Sequence, residues 1–92
     1  MEFREYDIQK LKARMIPRGE NECWGWKPIF RDRDGFCQFH YTTKEGRQAR
    51  VAAHRAVYSV FVGKLKKGEA VGHLCSNQEC VNPRHLKKGR LP

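Results

Sequence analysis

Three residues in the last third of the chain, Cys75, Cys80 and His85, have the types and spacing of a metal-binding loop. With His73 ahead of them they read His-x-Cys-x4-Cys-x4-His, and Cys23 far upstream can supply one more thiol. Thiolates and neutral imidazole, four to an ion, suit tetrahedral Zn²⁺. The preferred set is Cys23, Cys75, Cys80 and His85, holding a structural zinc. No single regular element brings Cys75, Cys80 and His85 to one point. A looped segment must wrap the ion, and Asn82-Pro83 supplies a rigid turn before His85. Two alternatives stay open: Cys37 in place of Cys23, or His73 in place of Cys23. Outside the metal set, Cys37 reads as a small buried residue of a hairpin.

The other histidines differ in prospect. His73 sits two residues from a zinc thiolate, so its backbone is held firmly. A neutral imidazole fixed there can take a proton from water, which makes His73 the candidate general base. His40 falls in a strand and packs or faces solvent. His54 opens a helix beside Arg55 and reads as a hydrogen-bonded core histidine.

Composition limits the setting. A chain of 92 residues fits one domain, spanning 1–92, with a thin core that benefits from a metal staple. The start, Met1 to Gln9, is charged rather than apolar, unlike a secretion leader. That favours a cytoplasmic protein whose cysteines hold metal rather than disulfides. The apolar stretch Ala56–Val62 is too short to cross a bilayer, so no membrane role is expected. The formal net charge is +9, from 19 basic and 10 acidic residues spread along the chain. A compact body so charged attracts polyanions, nucleic acid first among them.

The elements that must position these groups follow from periodicity. Phe3 to Met15 reads as an amphipathic helix ended by Pro17 and Gly19. Cys23 to Trp26 reads as a short aromatic strand. Asp32-Arg33-Asp34-Gly35 predicts a hairpin turn. Phe36 to Tyr41 and Gln48 to Val51 read as strands about a second turn at Lys44–Gly46. Ala52 to Val62 predicts a helix with Ala53, Val57, Val60 and Phe61 on one face and Gly63 as its C-terminal cap. Lys66–Glu69 is a turn, Ala70 to Leu74 a strand delivering His73, and Leu86 to Lys88 its partner. The fold class is α+β, with β-hairpins and two helices about a zinc.

Taken in order, these segments resemble the HNH, or His-Me finger, endonucleases, in the zinc-loop branch that is similar to His-Cys box homing enzymes and phage HNH proteins. Cys23-Trp24-Gly25-Trp26 resembles the family's Cys-Trp-x-Trp, and Gly35-Phe36-Cys37-Gln38-Phe39 its Gly-Tyr-Gly-x-Phe strand. Ala53-His54-Arg55-Ala56-Val57-Tyr58 resembles its Ala-His-Arg-x-x-Tyr helix. Val71 to Cys75, Cys80 to Pro83 and His85-Leu86 resemble its signature loop. The resemblance covers residues 22–88. It implies a ββα-metal unit, with His73 as the base that activates water against a phosphodiester. It also implies a structural zinc, and a separate Mg²⁺ held from the helix after the second strand. An arginine commonly grips the phosphate; Arg47, Arg50 and Arg55 are the candidates, with Lys44 beside them on the basic hairpin.

The chain departs from that pattern after His85. None of the seven residues that follow is Asn, Asp, Glu or His, and Gly89 and Pro92 oppose a helix. The closing helix and its Mg²⁺ ligand are therefore expected to be missing, and Gly72 stands where relatives often carry an acid. The leading expectation is a zinc protein that binds nucleic acid, duplex DNA first, with nuclease activity lost or weak. One alternative is an active endonuclease using Mg²⁺. It would draw its missing ligand from Asp32, Asp34, Glu69 or a second subunit of a homodimer. The other is a silent effector that binds a host or defence protein.

Overall fold

The computed structural model describes residues 3–27, 36–66 and 68–89. The turn expected at Asp32–Gly35 lies outside the described residues. The expected class holds: two helices and antiparallel β-hairpins. Among the described residues there are three ladders of two strands each, and no helix is long and apolar enough to cross a membrane.

The first helix, α1, spans Glu5–Arg14. Asp7 accepts hydrogen bonds from the Arg4 backbone N–H at 3.1 Å and from its guanidinium Nε at 3.1 Å. Glu5 and Asp7 in the first turn and Lys12 and Arg14 in the last complement the helix dipole. Leu11 is fully buried beneath it. The helix stops one residue earlier than the sequence pattern predicts. Met15–Ile16 form a strand, β1, paired antiparallel with β2, Gly25–Trp26. Pro17 disfavours helical backbone at Ile16, and the ladder takes up the freed groups. Cys23 and Trp24, expected in that strand, form the irregular approach to it.

The next hairpin joins β3, Gln38–Thr42, to β4, Gln48–Ala52. Gly46 closes its turn at φ +82°, a left-handed conformation that suits glycine. The register pairs His40 with Arg50 and Thr42 with Gln48 on the outer face. Phe39 on the inner face is fully buried and Tyr41 packs beside it. From Ala53 the chain turns directly into α2, Ala53–Phe61, which buries Ala53, His54, Ala56, Val57 and Tyr58. Gly63 does not cap it in a left-handed conformation; the cap falls at Val62, and the Gly63 N–H bonds the Tyr58 carbonyl at 3.0 Å.

The last hairpin pairs β5, Val71–His73, with β6, Leu86–Lys88, as the sequence pattern predicts. A 3-10 turn at Pro83–His85 leads into β6. Helix α2 lies centrally, touching α1, both longer hairpins and the 3-10 turn. One core of Leu11, Met15, Trp26, Cys37, Phe39, Ala53, Ala56, Val57, Tyr58, Val71, Val81 and Leu86 joins these pieces.

Candidate functional site

Two separate loops meet at one point. The approach to β2 delivers Cys23, and the loop between β5 and β6 delivers Cys75, Cys80 and His85. Their ligand atoms all lie within 4.8 Å of one another. His85 Nδ1 is 3.8 Å from the Cys23 sulfur and 3.3 Å from the Cys80 sulfur. A tetrahedral ion with about 2.3 Å bonds to sulfur and about 2.0 Å to nitrogen spaces its ligand atoms at roughly 3.5–3.8 Å. The four residues could therefore hold a metal ion, and three thiols with one imidazole are a donor set that zinc favours. Cys37 stands outside the cluster, buried in the core, and His73 is not part of it either. The cluster thus contains the preferred set and neither Cys37 nor His73.

The loop is braced from several sides. The Cys80 N–H bonds the Asn77 carbonyl at 3.0 Å, and the Val81 N–H bonds the Trp24 carbonyl at 3.0 Å, tying the loop to the segment that carries Cys23. Ser76 takes a positive φ of 61°, the tight bend after Cys75. Asn82, fully buried, is the clamp that sequence reasoning read only as a turn residue. Its Nδ2 donates to the Glu20 carbonyl at 2.9 Å and the Glu22 carbonyl at 2.7 Å. Its Oδ1 accepts from the Arg84 N–H at 3.0 Å, and its own N–H points at the Cys80 sulfur at 3.5 Å. Such a contact to a ligating sulfur is the kind that orients a metal ligand. The sequence signal was the adjacency of an amide to the proline turn, but its partners sit about sixty residues upstream.

The thiols titrate unequally without a cation. Burial pushes Cys80 up to about 12, with the nearby sulfurs of Cys23 and Cys75 adding to the rise. Burial also acts upward on Cys23. Hydrogen bonds from Cys80, Cys75 and Asn77 and the charge of Arg18 outweigh it and hold that thiol below its ordinary value. Cys23 thus ionises more readily than Cys80, and a bound cation favours the thiolate of a ligand.

His73 ends β5 beside this cluster and is nearly buried. Its Nε2 lies 3.0 Å from the Cys80 carbonyl oxygen. A carbonyl can only accept, so Nε2 carries the proton and Nδ1 keeps its lone pair. Burial lowers the His73 pKa, and the Cys80 carbonyl offsets only part of that. The ring is therefore neutral near pH 7. The Leu74 N–H bonds the His85 carbonyl at 2.7 Å, locking the backbone next to His73 to a metal ligand's residue. His54, read from sequence as a core histidine, is buried and also lies against His73, with ring centroids 4.6 Å apart. Phe36 packs on both.

The basic candidates divide. Arg47 and Arg50 are exposed on the hairpin, and no carboxylate among the described residues pairs with either. Lys44 is exposed at the same turn. Arg55 is half-buried on α2, and its guanidinium donates to the Glu69 carbonyl, so it braces the β5 approach. Glu69 is likewise engaged. Its carboxylate accepts from the Lys66 N–H at 2.5 Å and pairs with Lys88 at 3.5 Å. The Lys66 hydrogen bond, then the Lys88 charge, hold that carboxyl below its usual value. Among the described residues, the four-ligand cluster is the sole group of three or more candidate metal ligands. No second cation site is built around His73 from them. Asp32 and Asp34 lie outside the described residues.

Residues 51–87 match the family described as HNH endonuclease. The match runs from β4 through α2 to β6, and so takes in His54, His73, Cys75, Cys80 and His85. This bears out the resemblance that the loop residues carry. No curated protein and no solved structure matches the chain.

Proposed function

We propose that the protein is a zinc-stabilised HNH-type domain that binds duplex nucleic acid and hydrolyses it weakly, with His73 as general base. The observation that carries this reading is the Nε2 bond of His73 to the Cys80 carbonyl, which leaves Nδ1 as the free base. Zinc in the four-ligand cluster holds the loop, and so holds that carbonyl in place. In the hydrolytic step Nδ1 takes a proton from water. The oxygen attacks phosphorus, the bond to the leaving sugar oxygen breaks, and that oxygen takes a proton from solvent. A positioned base contributes about 10²–10⁴-fold. Among the described residues no second group of three or more metal ligands stands beside His73, and one Arg55 N–H is taken up by the Glu69 carbonyl, so few groups are placed to meet the developing charge. The expected rate is accordingly low. The duplex lies along the outer face of β3–β4, where Arg47, Arg50 and Lys44 meet phosphates.

A nicking assay on supercoiled plasmid at low salt, with Mg²⁺, Mn²⁺ or chelator, tests the reading. Slow nicking is expected in the wild type and at least tenfold less in His73→Ala at equal DNA binding. Nicking unchanged in the variant, or absent from a DNA-bound wild type, would remove His73 from its role. The poverty of cation ligands around His73 favours one second reading, a DNA-binding domain without hydrolysis, and that last outcome would establish it.

A further inference from the structure

Three aromatic rings meet beside the metal loop, and the hydrolytic reading uses only one of them. The ring centroids of Phe36, His54 and His73 form a triangle with sides of 4.9, 6.1 and 4.6 Å. Phe36 and His54 therefore stand on the same side of His73, as a continuous wall, rather than on its two faces. Phe36 lies nearly parallel to His73 at 11°, and His54 is inclined to it at 45°. The wall is itself held by backbone. The Ala53 N–H bonds the Cys37 carbonyl at 2.7 Å, so the residues next to Phe36 and His54 are fastened to each other. His54 is only 6% exposed.

One hydrogen bond does not fix an imidazole. The bond from Nε2 to the Cys80 carbonyl and the Cβ–Cγ tether hold two points of the ring and still leave its plane a range of tilt. Contact between flat rings restricts that tilt, and aromatic pairs at these separations are worth about 0.5–1.5 kcal/mol each. We propose that Phe36 and His54 are positioning residues for His73: their rings form a wall that fixes the imidazole plane and so the direction of Nδ1. The inference rests on His73 acting as base, but its central test does not require cleavage.

The test reads the ring itself. In wild-type protein loaded with zinc, carbon relaxation at the His73 ring C–H groups should show a ring as ordered as the backbone beside it. In Phe36→Ala and in His54→Ala the same ring should become mobile on the ns timescale, while zinc content stays at the wild-type level and the Nε2-protonated tautomer is kept by the Cys80 carbonyl. Phe36→Tyr, which keeps the ring, should restore the order. Phe36→Leu, which keeps bulk without the flat face and supports folding if alanine does not, should not restore it. Where the wild type nicks DNA, kcat should fall about tenfold in Phe36→Leu and His54→Ala with KM unchanged. A His73 ring that stays fully ordered in every folded variant overturns the proposal, as does a mobile ring in the wild type. A wild type with an ordered ring and no nicking overturns only the hydrolytic reading.

Discussion

The residue that governs the metal loop is not a metal ligand. Asn82 joins the Cys80 side of the cluster to the backbone that leads to Cys23, through two carbonyls at Glu20 and Glu22. Removing its amide takes the donor from two part-buried carbonyls, and a hydrogen bond contributes about 0.5–1.5 kcal/mol. Asn82→Ala should therefore destabilise the folded protein by about 1–3 kcal/mol, since both carbonyls lose their donor. Wild type should purify with one zinc per chain, and the variant should surrender zinc to a chromogenic chelator at least tenfold faster. Equal release rates would show that the clamp does not support the cluster. None of this was legible in the sequence. Cys75, Cys80 and His85 announce themselves because ligand chemistry demands particular atoms at short spacing. Asn82 is recognisable only when its distant partners are in place. The same holds for His54, whose contact with His73 depends on how α2 packs against β5.

At the scale of elements, periodicity sets what can be read. Helix α2 carries a clear apolar stripe and stands within one residue of its expected limits. The β5–β6 pair was readable because the short stretches Ala70–Leu74 and Leu86–Lys88 bracket the Cys75–His85 loop. The β1–β2 ladder has two residues a side, too few to show alternation. The entry to α1 also went unread, because an arginine at the cap gives no signal; Asp7 supplies the cap from inside the helix. Burial alone would raise the Asp7 carboxyl. The hydrogen bonds from the Arg4 side chain and backbone outweigh it and, with the charges of Arg4 and Lys10, hold it below its ordinary value. A depressed carboxyl contributes stability above its unfolded pKa, near about 3.9. That contribution is lost as pH falls through the folded value. Asp7→Asn should cost about 0.5–2 kcal/mol at pH 7, the range for losing a helix cap. The gap between wild type and variant in urea melts should narrow as the pH falls below the unfolded value and through the lower, folded one. A gap independent of pH would assign the loss to packing instead.

For the whole molecule the governing quantity is a net charge of +9 on a body about 36 Å long. Charge alone draws DNA without placing it. An exposed pair of arginines on one hairpin offers it a seat. Arg4 is paired with Asp7, Arg84 with Glu20 and Lys88 with Glu69, whereas Arg47 and Arg50 on the β3–β4 ribbon meet no such carboxylate among the described residues. The base of that ribbon runs through Ala52 and Ala53 into His54, whose ring lies 4.6 Å from that of His73. Each phosphate contact on B-DNA contributes about 0.9 to the slope of log affinity against log salt. Duplex binding, measured by anisotropy across a salt series, should therefore fall steeply in the wild type. Arg47→Ala and Arg50→Ala should each flatten the slope by about one. Arg84→Ala, which removes a charge already paired at the far loop, should leave the slope near its wild-type value. If all three variants flatten it equally, the duplex samples the whole surface and the ribbon is not its seat. If salt has no effect on the wild type, phosphate contacts do not hold the complex.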